Sequence, residues 1–177
     1  MRESVWLLPL GKLDGDARAI KLGEVALLGV ADGQQEFVGD PLRMVLVGLE
    51  EESRHPFVID TNGLAVGVFT LQSGAARLAG WPDDDSAWLL RGFLIDRHRQ
   101  GLGFGTLAAV AAVREAAKLT ADLGTGQTGV VLSVNERNPA GQAAYRKAGF
   151  EDRGRYDGGD AGPQRTMYHG FQPGHRL

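Results

Sequence analysis

The chain has no cysteine among its 177 residues. That excludes disulfides, thiolate nucleophiles and cysteine-ligated zinc. Its four histidines, His55, His98, His169 and His175, are scattered, and no two stand at a metal-ligand spacing such as HxxxH. No metal is expected. No apolar run approaches the ~18 residues of a membrane span. The first apolar run, residues 5–10, is short for a signal-peptide core and is followed by no small-residue cleavage site. It reads as an opening strand, and the expected location is the cytoplasm, away from membranes. Excess positive charge is also missing: 19 Lys and Arg against 22 Asp and Glu give a formal charge of -3. The chain as a whole is therefore not built to bind nucleic acid. What remains is ordinary globular composition, 43% hydrophobic and 23% charged. The length suits one domain, residues 1–177, with no repeat and no dividing linker.

The clearest local signal is Asn62-Gly63 between apolar runs at residues 57–59 and 64–71. A two-residue type I′ turn needs positive φ at both positions, so a β-hairpin is expected there. Residues 5–9 read as a first strand. Residues 12–30 admit a helix opening at Gly15-Asp16 with Ile20, Val25 and Leu28 inside, although Gly23 interrupts it. Asp40-Pro41 reads as an N-cap followed by proline at the first helical position. Residues 86–96 form a long apolar strand, buried on both faces. A helix follows from Gly103 or Phe104 to about Leu119, with Leu107, Val110, Val113 and Ala117 at helical spacing. Residues 129–135 are a second buried strand. Strand, helix, strand in this order makes a parallel βαβ unit. A helix over residues 140–147 and a last hairpin, with arms at 153–156 and 165–171, complete the chain.

Between the apolar strand and its helix stands "RHRQGLGFGT", residues 97–106. Gly101, Gly103 and Gly105 give GxGxG. A dinucleotide fingerprint needs GxGxxG, and a P-loop needs a lysine that is absent here. The physical factor common to such loops survives. A helix N-terminus offers unpaired N–H groups and the positive end of the macrodipole, and glycines let a phosphate approach. The stretch reads either as a site for a pyrophosphate-bearing ligand or as a tight strand-to-helix turn without one.

Gln100-Gly101-Leu102-Gly103-Phe104-Gly105 resembles the Q/R-x-x-G-x-G/A signature of the GNAT N-acetyltransferase superfamily. A second block, "VNERNPAGQAAYRKAGF", is similar to that family's later strand and helix. The family's usual order of elements, including an earlier hairpin, covers most of the chain from Phe57 to Phe171. A weaker likeness in residues 33–38 is to the polyamine and antibiotic-resistance-like acetyltransferases. The resemblance implies an α/β fold: a mixed, largely antiparallel sheet with a central parallel βαβ pair that splays to bind CoA. It implies acetyl transfer from acetyl-CoA to a primary amine by direct attack in a ternary complex, without a metal. Phe93, Leu94 and Ile95 would run along the pantetheine arm. Gln100, Gly101, Leu102, Gly103, Phe104, Gly105 and Thr106 would hold the pyrophosphate, with Arg97, His98 and Arg99 outside it. Asn135, Asn138 and Gly141 would line the other wall.

The chemistry asks for three things. The ammonium, with a pKa of ~10.4 if lysine-like, must lose a proton. The thioester oxygen gains negative charge and needs a donor, which the resemblance implies is a backbone N–H near Leu94. The departing thiolate needs a proton, and Tyr145 matches the family's general acid; the alternative for Tyr145 is packing against the sheet. Candidates for the base are Glu36, Asp83, Asp84 and Asp85. The three aspartates read first as a solvated loop, and their functional reading is attraction of a cationic amine. Arg91, unusual on so apolar a strand, could face the substrate cleft, a subunit edge such as a homodimer contact, or an end-of-sheet salt bridge. The substrate is a small-molecule or peptide amine, and its identity is not legible. A non-catalytic acyl-CoA-binding module of the same fold is the alternative, which would not need Tyr145; a nucleotide-binding redox domain is disfavoured by the glycine spacing.

Overall fold

The computed structural model describes residues 4–31 and 39–172. Seven strands form one sheet in the order β1-β2-β3-β4-β5-β7-β6: β1 (Trp6–Pro9), β2 (Arg54–Thr61), β3 (Leu64–Gln72), β4 (Ala87–Ile95), β5 (Gly129–Asn135), β6 (Glu151–Tyr156) and β7 (Gln164–Gly170). All neighbours are antiparallel except β4 and β5, which are parallel. The expected hairpin is β2–β3, and its turn has Asn62 at φ 51° and Gly63 at φ 82°, the positive pair that a type I′ turn demands.

The helices are α1 (Gly15–Ala26), α2 (Pro41–Glu50), α3 (Phe104–Leu123) and α4 (Pro139–Lys147). Alternation along the strands sends neighbouring residues to opposite layers. Val58, Val68 and Leu94 pack with Val25 of α1 and Val45 of α2. Phe57, Phe69, Trp88 and Leu132 pack with α3 on the other face.

Two helical faces differ from the sequence expectation. Ile20 is exposed while Val25 is fully buried. Five residues apart on an α-helix is a rotation of about 140°, so both cannot face the sheet; Leu22 takes the inner place. In α3 the buried residues are Phe104, Ala108, Ala109, Ala112, Val113, Ala116 and Leu119, whereas Leu107 is exposed. The sheet already supplies Phe57, Phe69 and Trp88. Alanines let the helix approach that bulky surface at close-packed density. The helix also runs four residues beyond the expected Leu119, to a left-handed Gly124.

The βαβ unit is present, and its strands part. Pairing between β4 and β5 stops after Ala87↔Gly129, Trp88↔Val130 and Leu89↔Val131. Beyond that, β4 stays paired with β3, and β5 pairs with β7 along its whole length. A one-residue bulge against β3 falls at Gly92, at φ 60°, where β4 advances three residues for two of β3. A bulge bends and twists its strand, here on the stretch that leaves β5. Among the described residues no helix is long and apolar enough to cross a membrane.

Candidate functional site

Three of the four α-helices among the described residues have side-chain N-caps: Asp14 on α1, Asp40 on α2 and Asn138 on α4. The fourth, α3, begins at Gly103 with no side-chain cap. Its first-turn amides, those of Phe104, Gly105 and Thr106, have no intrahelical partner. They open on a cavity of about 430 Å³. Gly101 and Gly103 both hold positive φ, 78° and 86°, which a non-glycine residue reaches only with strain.

Phe93, Leu94, Ile95, Gln100, Gly101, Gly103, Phe104, Gly105, Thr106, Asn138, Gly141 and Tyr145 all border this cavity. The exception in the loop is Leu102, which points outward and is 55% exposed. Gln100 does not simply reach into the cavity: its Nε2 donates to the carbonyl of Ile95 at 3.1 Å, closing the end of β4. Arg99 borders the cavity, but Arg97 does not. Arg97 lies across Gly29, with backbone N–H to Gly29 O at 2.9 Å, and its Nε meets His98 Nε2 at 3.1 Å. The sequence had grouped all three basic residues at the phosphates. It had also missed Lys147, which lines the cavity with Ala140, Ala143 and Ala144. Their spacing over two turns of α4 was the available signal: small residues and one lysine on a single helix face.

A second, smaller cavity of about 140 Å³ occupies the parting between β4 and β5. Phe93, Asn138 and Tyr145 border both cavities, so the two meet there. Asn135 forms its wall, with both ends of its amide engaged: Nδ2 donates to Ala161 O at 2.7 Å and Oδ1 accepts from Arg137 N at 2.8 Å. Asn138 Oδ1 caps Gly141 N at 3.0 Å, and a Cβ on Gly141 would come within 2.6 Å of the Asn138 amide.

Tyr145 is wedged between Phe93 and Phe150, with edge-to-face contacts at 5.6 and 5.8 Å between centroids. Its hydroxyl has no hydrogen-bond partner among the described residues, and burial drives its pKa well above the ordinary phenol range. The phenol stays protonated at any working pH. No acidic residue borders either cavity among the described residues. Asp83 accepts from Asp85 N, Ser86 N and Ser86 Oγ, and Asp84 accepts from Arg77 N. These carboxylates shape the turn before β4. Glu36 lies outside the described residues, as does the 33–38 segment. Trp88 is fully buried and donates to Thr120 Oγ1 at 2.8 Å, so it serves the core. Among the described residues there is no group of three His, Asp or Glu placed to hold a metal.

No protein-family model matches the chain. An uncharacterised N-acetyltransferase of Bacillus subtilis (strain 168), YbbJ, is 26% identical over 152 residues, 84% of this chain and 90% of that protein. Among solved structures, the aminoglycoside acetyltransferase AAC(6')-Ib with acetyl-CoA superposes at a TM-score of 0.67 and 20% identity, over 94% of this chain and 93% of that one. The spermidine N-acetyltransferase of Vibrio cholerae with CoA and spermine gives 0.61 and 16%, over 94% and 95%. At those identities the two structures establish the fold, a mixed sheet with one parallel pair. Fold, glycine-loop signature and sequence relative agree in their likeness to the GNAT acetyltransferases.

Proposed function

We propose that the chain, acting as one catalytic unit, is an N-acetyltransferase that takes the acetyl group from acetyl-CoA and delivers it directly to a primary amine. The observation that carries this reading is the uncapped start of α3, opening on a cavity that joins the β4–β5 parting at Tyr145. The donor set fits the ligand. Free first-turn amides together with Arg99 and Lys147 suit a pyrophosphate. The facing edges of residues 90–95 and 132–135 do not pair with each other, and buried backbone groups require partners; the amides of a pantetheine arm would supply them. When bound, acetyl-CoA provides an activated acyl group at the junction of the cavities.

The rest belongs to the chain. A backbone N–H near Leu94, beside the Gly92 bulge, would stabilise charge on the acyl oxygen. Tyr145, neutral because it is buried, holds a proton where the sulfur would leave. The amine enters from the opposite side of the sheet and loses its proton, through water, to a base outside the described lining of these cavities. A CoA-binding module without catalysis would have no use for an unpartnered phenol at the junction.

The test is release of free CoA thiol from acetyl-CoA across a panel of amines, in the wild type and in Tyr145→Phe. The expected result is amine-dependent release, a fall in kcat of about 100-fold or more in the variant, and nearly unchanged acetyl-CoA affinity by calorimetry. Tight acetyl-CoA binding with no release for any amine would favour the binding module. Full turnover in Tyr145→Phe would remove Tyr145 from the acid role.

A further inference from the structure

Arg91 is the only charged residue on β4. It lies just past the last β4–β5 pair, in the parting strand, and borders the small cavity with Phe93 and Tyr145. Its strand partner Thr70 is two residues from Val68, which packs under α1 and α2. Arg91 therefore stands on the α1/α2 face of the sheet, whereas the glycine-loop cavity is walled by α3 and α4. It meets the junction from the side an acceptor would use.

Its charge is held in place, and among the described residues it has no counter-charge. Arg91 Nη1 donates to Gln72 Oε1 at 2.8 Å, a neutral partner. Burial, and then the nearby charge of Arg54, lower its pKa, against a smaller opposing effect of Glu51. The Glu51 carboxylate is itself paired to Arg54 Nε at 2.8 Å. Among the described residues no carboxylate lies within ion-pair distance of Arg91, and none of the residues around the small cavity is acidic. Among the described residues, then, the salt bridge that the sequence allowed for is not formed. A half-buried guanidinium stays charged, and desolvating it without a counter-charge is unfavourable. With one N–H committed to Gln72, a fork of donors remains that matches a carboxylate. A polyamine or amino sugar would instead bring ammonium groups beside a fixed positive charge.

The geometry points to Arg91, oriented by Gln72, as the group that receives a carboxylate on the acceptor: the amine acetylated here is one that also carries a carboxylate, an amino-acid-like molecule and not a polycation. This rests on the transferase reading above. It makes Arg91 a residue that selects the substrate, distinct from Tyr145, which serves the leaving group.

Matched acceptors test it in the thiol-release assay: amino acids, the corresponding amino-acid amides, phosphoethanolamine, spermidine and an amino sugar. The expected kcat/KM favours the acid over its amide by about 10- to 100-fold, the value of a charge-assisted contact. In Arg91→Gln the acid falls to the level of the amide, the amide is unchanged, and acetyl-CoA affinity is unchanged. Arg91→Lys, which keeps the charge without the fork, retains part of the preference. Spermidine or the amino sugar outrunning the acids would overturn the assignment while leaving the transferase reading standing. So would equal rates for acid and amide, an equal fall for both in Arg91→Gln, or a preference for phosphoethanolamine alone. If acetyl-CoA binds and no amine releases thiol, the transferase reading falls and this assignment falls with it.

Discussion

Two glycines in the α3 loop, two residues apart, should respond in opposite ways to the same added methyl group. At Gly103 a Cβ would meet nothing within 4 Å, but φ is 86°. The cost there is purely conformational, about 1–2 kcal/mol for an L-residue in the left-handed region. At Gly105 the backbone is helical, and the Cβ would find Ile95 Cγ1 at 3.8 Å and Ala144 Cβ at 3.9 Å, ordinary van der Waals distances. Alanine there gains helix propensity, up to about 1 kcal/mol. For a domain of this size each kcal/mol moves Tm by about 2–4 °C. Gly103→Ala should therefore melt about 2–8 °C below the wild type, and Gly105→Ala up to about 4 °C above it. The functional readings should divide in the same way. Tilting the residue that launches α3 misaims the free amides of Phe104 to Thr106, and one lost charge-assisted bond is about tenfold or more in affinity. Gly105→Ala should keep acetyl-CoA binding. Gly103→Asn, which tolerates the left-handed region, should recover much of the Gly103→Ala loss. Scanning calorimetry and acetyl-CoA titration of the three variants decide the matter. A Gly103→Ala protein with wild-type Tm and Kd would refute the conformational account of this loop, and loss of binding in Gly105→Ala would show that the cavity wall admits no methyl there.

Lys21 joins α1 to the β2–β3 turn through Asp60 at 2.7 Å, Glu24 at 2.8 Å and Gly63 O at 2.9 Å. Burial opposes its charge, but the hydrogen bonds to Asp60 and Glu24 outweigh it and raise its pKa. A raised lysine pKa stabilises fully below the unfolded value of ~10.4 and is lost as pH climbs through the folded one. Lys21→Met should thus lower Tm by several degrees at pH 7, since Asp60 is left buried and unpaired, and the gap should narrow above about pH 10.5; a gap constant with pH in thermal melts would refute the pairing. Replacing Asp83, Asp84 and Asp85 together by asparagine should lower Tm slightly, because Asp83 loses its charge and its Oδ2 acceptor for Ser86 Oγ while Oδ1 can still accept the backbone N–H groups, and leave the Michaelis constant for the amine unchanged. A raised constant in steady-state assays would return them to substrate attraction.

The sequence was most readable where local chemistry and tertiary need agree. Asn62-Gly63, Asp40-Pro41 and the strand–helix–strand unit each carry their own backbone signal, and each forms as expected. It was least readable where packing decides. The inner face of α3 is chosen by Phe57, Phe69 and Trp88 across the sheet, not by the size of its own side chains, so the alanines go in and Leu107 stays out. The glycine loop was legible as a motif; which basic residues accompany it was not. Arg97 and Arg99 are two residues apart in sequence, yet one covers Gly29 and the other borders the cavity. Gly92 was a missed signal, since an isolated glycine inside a strand often marks a bulge.

That bulge explains why, in the proposed reading, catalysis and acceptor choice share one strand. β5 is committed to β7 along its whole length, so the parting must come from β4. The extra residue at Gly92 turns β4 away after Leu89, and α2 closes over the turn with Met44, whose sulfur would lie 3.1 Å from any Cβ on Gly92. A side chain there would meet both positive φ and Met44. The bulge also resets which way β4 side chains point. Arg91, before it, is turned to the α1/α2 face, and Phe93, after it, stacks on Phe69 and meets Tyr145 on the other. One backbone irregularity thus opens the cleft, directs an aromatic wall toward Tyr145 and leaves a guanidinium on the opposite face of the sheet. Local periodicity in the sequence marks the strand, but it cannot show on which side of the sheet each of these side chains falls.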